Sequence, residues 1–214
     1  MSRLPGLPKV AKAAIVVFEP PANIPSVITF QYNPETVSRD IKASAVEGGD
    51  RSDAFRLTGA PPETWKVEVM LDATDALVAG ETVGGRGIFG EIAAFENLLA
   101  PKSATVIANT IALASGTIEI LPATAPFTVL VWGQRVLPVR ISGLSVTEEA
   151  FDIDLNPVRA KIALDMMVLT YSDLQVTHPG YAMYLGHQIV RETMGQLARK
   201  SVPEAILSQK ISTG

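Results

Sequence analysis

Few side chains in this chain have the chemistry of catalysis, and their spacing gives them little to do. The only histidines, His178 and His187, stand nine residues apart, an interval that fits neither one helix face nor a zinc-ligand spacing. No cysteine exists to complete a metal set or to act as a nucleophile. His178 precedes Pro179, a place that suits a hinge or a helix cap. Four carboxylates, Glu148, Glu149, Asp152 and Asp154, crowd one stretch. Clustered carboxylates can hold calcium or do acid–base work, but the EF-hand ligand order and its central glycine are missing. Repulsion among these charges points to a solvated loop, or to a surface facing basic groups on a partner subunit. Gly80, Gly84, Gly85 and Gly87 enrich residues 76–87 in glycine, yet the Lys-Ser/Thr ending of a phosphate loop is absent. No Gly-x-Ser-x-Gly elbow occurs either. These residues predict no enzyme, no cofactor and no metal site.

Composition narrows the classes further. The chain has 214 residues, enough for one domain with appendages and a substantial core. With 47% hydrophobic and 19% charged residues it is a folding sequence, not a disordered one. A formal net charge of −4, with no basic run longer than Arg199-Lys200, argues against a nucleic-acid partner. No apolar stretch reaches the roughly 20 residues of a membrane-spanning helix. Met1 to Val10 carries basic residues and prolines without the apolar core of a signal peptide. The absence of cysteine suits a reducing cytoplasm and an exported protein equally well, so compartment stays open.

The elements that must position these residues are mostly strands. Phe127–Trp132, Val136–Val146 and Val158–Tyr171 are β-type apolar runs, separated by Gly133-Gln134 and by an acidic connection from Glu148 to Pro157. In the last run Val158, Ala160, Ile162, Leu164, Met166 and Val168 share one face. Trp65, Val67, Val69 and Leu71 do the same within Thr64–Asp72, and Trp65 and Trp132 are expected in the core or on a sheet face. Lys12–Phe18 and Ser26–Tyr32 are further strands, the second stopped by Asn33-Pro34. Residues 41–62 form a long polar loop. Apolar residues at 88, 89, 92, 95, 98 and 99 predict a helix ending before Pro101. Residues 102–126 show little pattern beyond a candidate strand at Gly116–Leu121. After Pro179 an amphipathic helix is expected, mildly interrupted by Gly186 and Gly195, with intrachain packing the preferred arrangement. Ser201–Ile211 follows as a short second helix after Pro203.

Three segments, TFQYNPETVSRD at 29–40, VLVWG at 129–133 and DLNPVRAKIAL at 154–164, together resemble the tube-type proteins of contractile injection systems. These systems are phage-tail-like particles that fire a spike-tipped tube. The resemblance covers residues 15–171 and looks closest to the tube initiator, or spike–tube adaptor, often described as carrying a LysM domain. Its motif residues are Phe30, Asn33, Pro34, Trp132, Gly133, Asn156, Pro157, Val158, Arg159 and Ala160. Asn156 stands where relatives often have glycine, and no LysM-like module follows residue 180.

The resemblance implies an α+β fold that is mainly β. Its centre is an antiparallel two-sheet barrel or sandwich of the tail-tube type, with one packed helix and a C-terminal helical tail. The corresponding organisation is an arm at 1–11, a β domain at 12–175 and a helical extension at 176–214. Strands with apolar residues on both faces leave a sticky face or an open edge in a monomer, which pairing around a closed ring removes. The function implied is a structural baseplate adaptor, a hexamer in the family's manner, that joins the spike complex to the inner tube and templates it. Its partners would be its own copies, the inner tube protein, the spike protein and other baseplate subunits, with no nucleic acid and no membrane span. Residues 41–62 and 76–87 are candidate interlayer contacts. Assembly in the bacterial cytoplasm is implied, within a particle that is released or membrane-anchored. The inner tube subunit is the alternative within the family, and a cell-wall- or carbohydrate-binding β-domain the alternative outside it.

Overall fold

A period of two organises the chain. The structure, a computed structural model, describes residues 11–19, 24–45, 56–74, 87–116, 122 and 124–199. Among them lie seven strands: β1 (Ala14–Glu19), β2 (Ile24–Thr29), β3 (Val37–Ile41), β4 (Glu63–Asp72), β5 (Phe127–Trp132), β6 (Arg135–Phe151) and β7 (Pro157–Val168). Three helices accompany them: α1 (Phe89–Glu96), α2 (Ser103–Ala114) and α3 (Pro179–Ala198). The strands make one antiparallel sheet in the order β2-β1-β5-β6-β7-β4-β3.

Register explains the core. Trp65, Val67, Val69 and Leu71 of β4 stand opposite Met166, Leu164, Ile162 and Ala160 of β7. All eight are buried, whereas the alternate β4 residues Lys66, Glu68 and Met70 are exposed. Burying each large apolar side chain stabilises by about 1.5–3 kcal/mol relative to leaving it in water. On β6 the inward face begins on odd numbers, at Leu137, Val139 and Ile141. It then changes to Leu144 and Val146, which oppose Leu164 and Ile162. The cause is a bulge between Ile141 and Gly143. There Ser142 is the extra residue, and its hydroxyl donates to the Asp165 carbonyl at 3.1 Å. One inserted residue changes the face that every later side chain occupies.

The sheet curls strongly without closing. β5 and β4 are three strand spacings apart, about 14 Å in a flat sheet, yet the rings of Trp132 and Trp65 meet edge-on at 6.4 Å. The antiparallel α+β architecture is therefore as expected. The two-sheet barrel is not: the described residues form one sheet that does not close, with β2 and β3 as its margins. Helix α1 fills the concavity with Ile92 and Phe95, helped by the flanking Ile88 and Leu98. Phe89 and Leu99, expected on the same stripe, face solvent.

Several boundaries differ from the sequence reading. β2 starts at Ile24 and stops at Thr29; just beyond it Phe30 still donates its N–H to the Ala13 carbonyl at 2.9 Å, while its ring is buried against Phe95 at 6.3 Å. β1 and β7 end within a few residues of expectation, at Glu19 and Val168. β3 lies where no strand was expected, since VSRDI carries three polar residues and pairs by backbone with β4. The supposed acidic connection from Glu148 is strand as far as Phe151, leaving a tip of only 152–156. Helix α2 occupies part of the pattern-poor segment. α3 runs unbroken through Gly186 and Gly195 and packs on β6. In the 41–62 loop, Ala45 and Leu57 form a bridge, and 46–55 lie outside the described residues. Also outside them are nearly all of the arm, most of the glycine-rich stretch, the candidate strand at 117–121 and the helix at 201–211.

Candidate assembly surfaces

The first surface is the seam where the curled sheet nearly meets itself. Just past β2, the Gln31 side-chain amide donates to the Asp72 carbonyl at 2.5 Å and accepts from the Asp72 amide at 2.8 Å. A side chain thus makes the paired bonds that a neighbouring strand would make. Asn33 does the same for the start of β1, accepting from Ala13 N–H at 3.0 Å and donating to the Ala11 carbonyl at 2.8 Å. Pro34 follows with no donor of its own, which ends the run. The Asp72 carboxylate accepts from Arg159 Nε at 2.8 Å and pairs with its Nη2 at 2.8 Å. Burial would raise the Asp72 pKa, but bonds from Thr74 and Arg159 outweigh it and hold it below the usual value. The segments around Asn33 and Arg159, far apart in sequence, meet at this one aspartate.

The second surface lies where β4 and β6 begin. Glu63 is 1% exposed, and its Oε1 accepts from the Trp65 indole at 2.7 Å. Its Oε2 takes Arg191 of α3 at 3.1 Å, and Arg39 of β3 stands 3.6 Å from Oε1. Arg39 and Arg135 also lie over the Trp65 ring, at 5.2 and 5.7 Å. A buried carboxylate without such partners would be prohibitively costly. Two guanidinium groups meet one carboxylate and a third, Arg135, lies over the neighbouring indole, so the cluster keeps a positive surplus. Above it opens a groove of about 650 Å³ whose apolar wall includes Val136, Met183, Val190 and Met194. His187 borders it, with Nε2 shielded and without a hydrogen-bond partner. Burial, and then Arg191, push its pKa down, so the ring stays neutral around pH 7. At the helix start His178 is the cap: its Nδ1 accepts from Gly180 N–H at 3.1 Å, and its ring packs on Phe127 at 4.6 Å.

The third surface is the tip of the β6–β7 hairpin. Asp152 builds it, its Oδ1 accepting from the Asp154 and Asn156 amides and its Oδ2 from the Asn156 side chain, each at 2.8 Å. Those bonds, the Asn156 side chain first, hold its carboxyl below the usual range. Pro157 opens β7, where its missing N–H is harmless. Its carbonyl accepts from Ile88 at 2.8 Å, and it lies so close to Gly87 that a Cβ there would sit 2.0 Å from it. Val158 and Ala160 are core. Glu149 pairs with Lys161 at 2.7 Å. At the apex Ile153 is 99% exposed and Leu155 79%.

The remaining motif residues, Trp132 and Gly133, sit apart from the others at the β5–β6 turn. Gly133 has φ +60, which the first central residue of a II′ turn requires. Thus the motif residues form a seam, a turn and a hairpin, not one site. Gln31, Asp72, Glu63, Arg39 and Arg191 went unrecognised in the sequence; only the placement of Glu63 two residues before Trp65 on one strand face could have drawn notice. Among the described residues no group of three His, Asp or Glu is placed to hold a metal ion, and no helix is long and apolar enough to cross a membrane.

An open curled sheet with apolar outward projections is the geometry of a building block. Residues 9–176 match the family of contractile injection system tube proteins, and the chain belongs to that family. No curated protein is significantly similar to it. Its role is accordingly structural and tube-type, in assembly with other tube or baseplate components, and membership of a structural family speaks against an enzymatic role.

Proposed function

We propose that this chain forms a ring at the baseplate of a contractile injection particle, joining the spike complex to the inner tube and templating the first tube layer. The observation that carries the reading is the pair of open margins. Among the described residues β2 and β3, at opposite ends of one sheet, each have a ladder partner on one side only. Free strand edges recruit further strands, and edges at both margins of one subunit let neighbours pair around a closed ring. Six copies is the number that the family resemblance implies. Assembly would take place in the bacterial cytoplasm.

The inner tube subunit is the second reading, supported by the family's own description. Against it, α3 lies beyond the matched residues and helps make the two ends of β6 unlike, with a basic groove at one and an acidic hairpin at the other. Unlike ends suit a part that meets different partners above and below. A sugar-binding domain would need exposed aromatic platforms grouped on one face, whereas Trp65, Phe30 and Phe95 are buried and the exposed Tyr32, Phe89 and Phe151 stand on separate segments. Native mass spectrometry and negative-stain microscopy of the protein, alone and with its tube neighbour, test the proposal. Rings that seed tube growth, at one ring's worth of copies per particle, are expected. Many copies per particle would make it the tube subunit, and a strictly monomeric protein that never enters particles would end both readings.

A further inference from the structure

Two surfaces at opposite ends of β6 complement one another. The hairpin tip presents Ile153 and Leu155 beside Asp154 and Glu148, all exposed. The groove at the other end pairs an apolar wall, including Val136, Val190 and Met194, with the surplus positive charge of Arg39, Arg135 and Arg191. No residue is shared between them. Val136 and Phe151 lie near the two ends of one strand, on the order of 50 Å apart if fully extended, so a copy's own tip cannot reach its own groove.

Backbone conformation at the tip points the same way. Leu155 has φ +62, a region that glycine or asparagine occupies readily and leucine only with strain. The Asp152 bonds hold the turn in this form, and they keep a large apolar side chain at its apex where local folding would favour a small or polar one.

We propose that the hairpin tip of one copy seats in the α3 groove of a second copy, Ile153 and Leu155 against its apolar wall and Asp154 against its arginines. The contact is heterologous, so it closes into a ring or runs on as a filament according to the rotation between copies. This inference rests on the ring-forming reading above and names a contact that holds the copies together.

Because the chain has no cysteine, introduced ones report the contact without background. Ile153→Cys and Val190→Cys are made singly and together in the full chain, oxidised, and run on non-reducing gels beside native mass spectrometry. Cross-links in the double variant and in a mixture of the two single variants, absent from either alone, are expected. Adding Leu155→Asn, which suits the left-handed backbone and so spares the fold, should lower the cross-linked fraction about tenfold, as loss of a buried apolar anchor does. Intact oligomers without the heterotypic cross-link, or a cross-link formed only between two chains that both carry Ile153→Cys, would overturn the contact and leave the ring standing. Monomers alone in every preparation would remove the ring and the contact together.

Discussion

Helices α1 and α2, joined by residues 97–102, are both apolar, yet the protein treats them oppositely. α1 carries Ile92 (2% exposed) into the concave face of the sheet, together with Phe95. α2 has no buried residue, and its Ile107 is 58% exposed. At its start Lys102 pairs with Glu19 at 2.5 Å, an exposed contact of the kind that contributes little. The lesson is that apolar content does not identify core. α1 repeats its large residues at helical spacing with a curved sheet waiting beneath, and α2 buries none of its side chains against the described residues. Exposed apolar patches of this kind mark contacts with other molecules.

The largest effect should come from emptying the space that α1 fills. Phe95→Ala is expected to cost about 3–5 kcal/mol in chemical denaturation, the range for deleting a buried aromatic ring. Ile92→Ala should follow at about 2–4 kcal/mol by the same mechanism. Next is the seam across which α1 packs. Gln31→Ala removes both bonds to Asp72 and should lower stability by about 1 kcal/mol, measured as a shift in the urea midpoint.

Smaller still is a pH effect at the far end. His187 is held neutral by burial and Arg191, with Glu63 opposing and Arg135 and Arg39 assisting. Its folded pKa lies below the usual 6.5, so the unfolded chain binds the proton more readily. Stability is fully present above that value and falls as pH drops below it. His187→Gln should flatten the decline between pH 6.5 and the lower folded value; an unchanged thermal-shift profile would discount the group. Last, Ile107→Asn on α2 should leave stability within about 0.5 kcal/mol of the parent, since surface changes seldom do more. An Ile107 substitution as damaging as Ile92→Ala would break the comparison and place α2 in the core.

Much of the fold was legible because burial on one face of a sheet writes itself as alternation. β4 and β7 could be read that way, β5 from its continuous apolar run, α1 from its three- and four-residue steps and α3 from its start after Pro179. β3 could not be, because an edge strand with polar side chains pairs through its backbone and leaves no periodic mark. β6 was cut short at Val146 because the residues beyond it, Thr147 to Phe151, bury no face and carry two acidic side chains. α2 left no readable pattern: its apolar residues form no buried stripe among the described residues.

By itself, then, the order of residues determined the period of the strands and the turns at Gly133 and Asn33-Pro34. Only the folded molecule decided that Asp72 joins Gln31 to Arg159, that Arg39 and Arg191 converge on Glu63, and that the sheet curls yet stays open. Each of those contacts joins residues distant in the chain, and their meeting depends on sheet order and curvature, which no local pattern encodes.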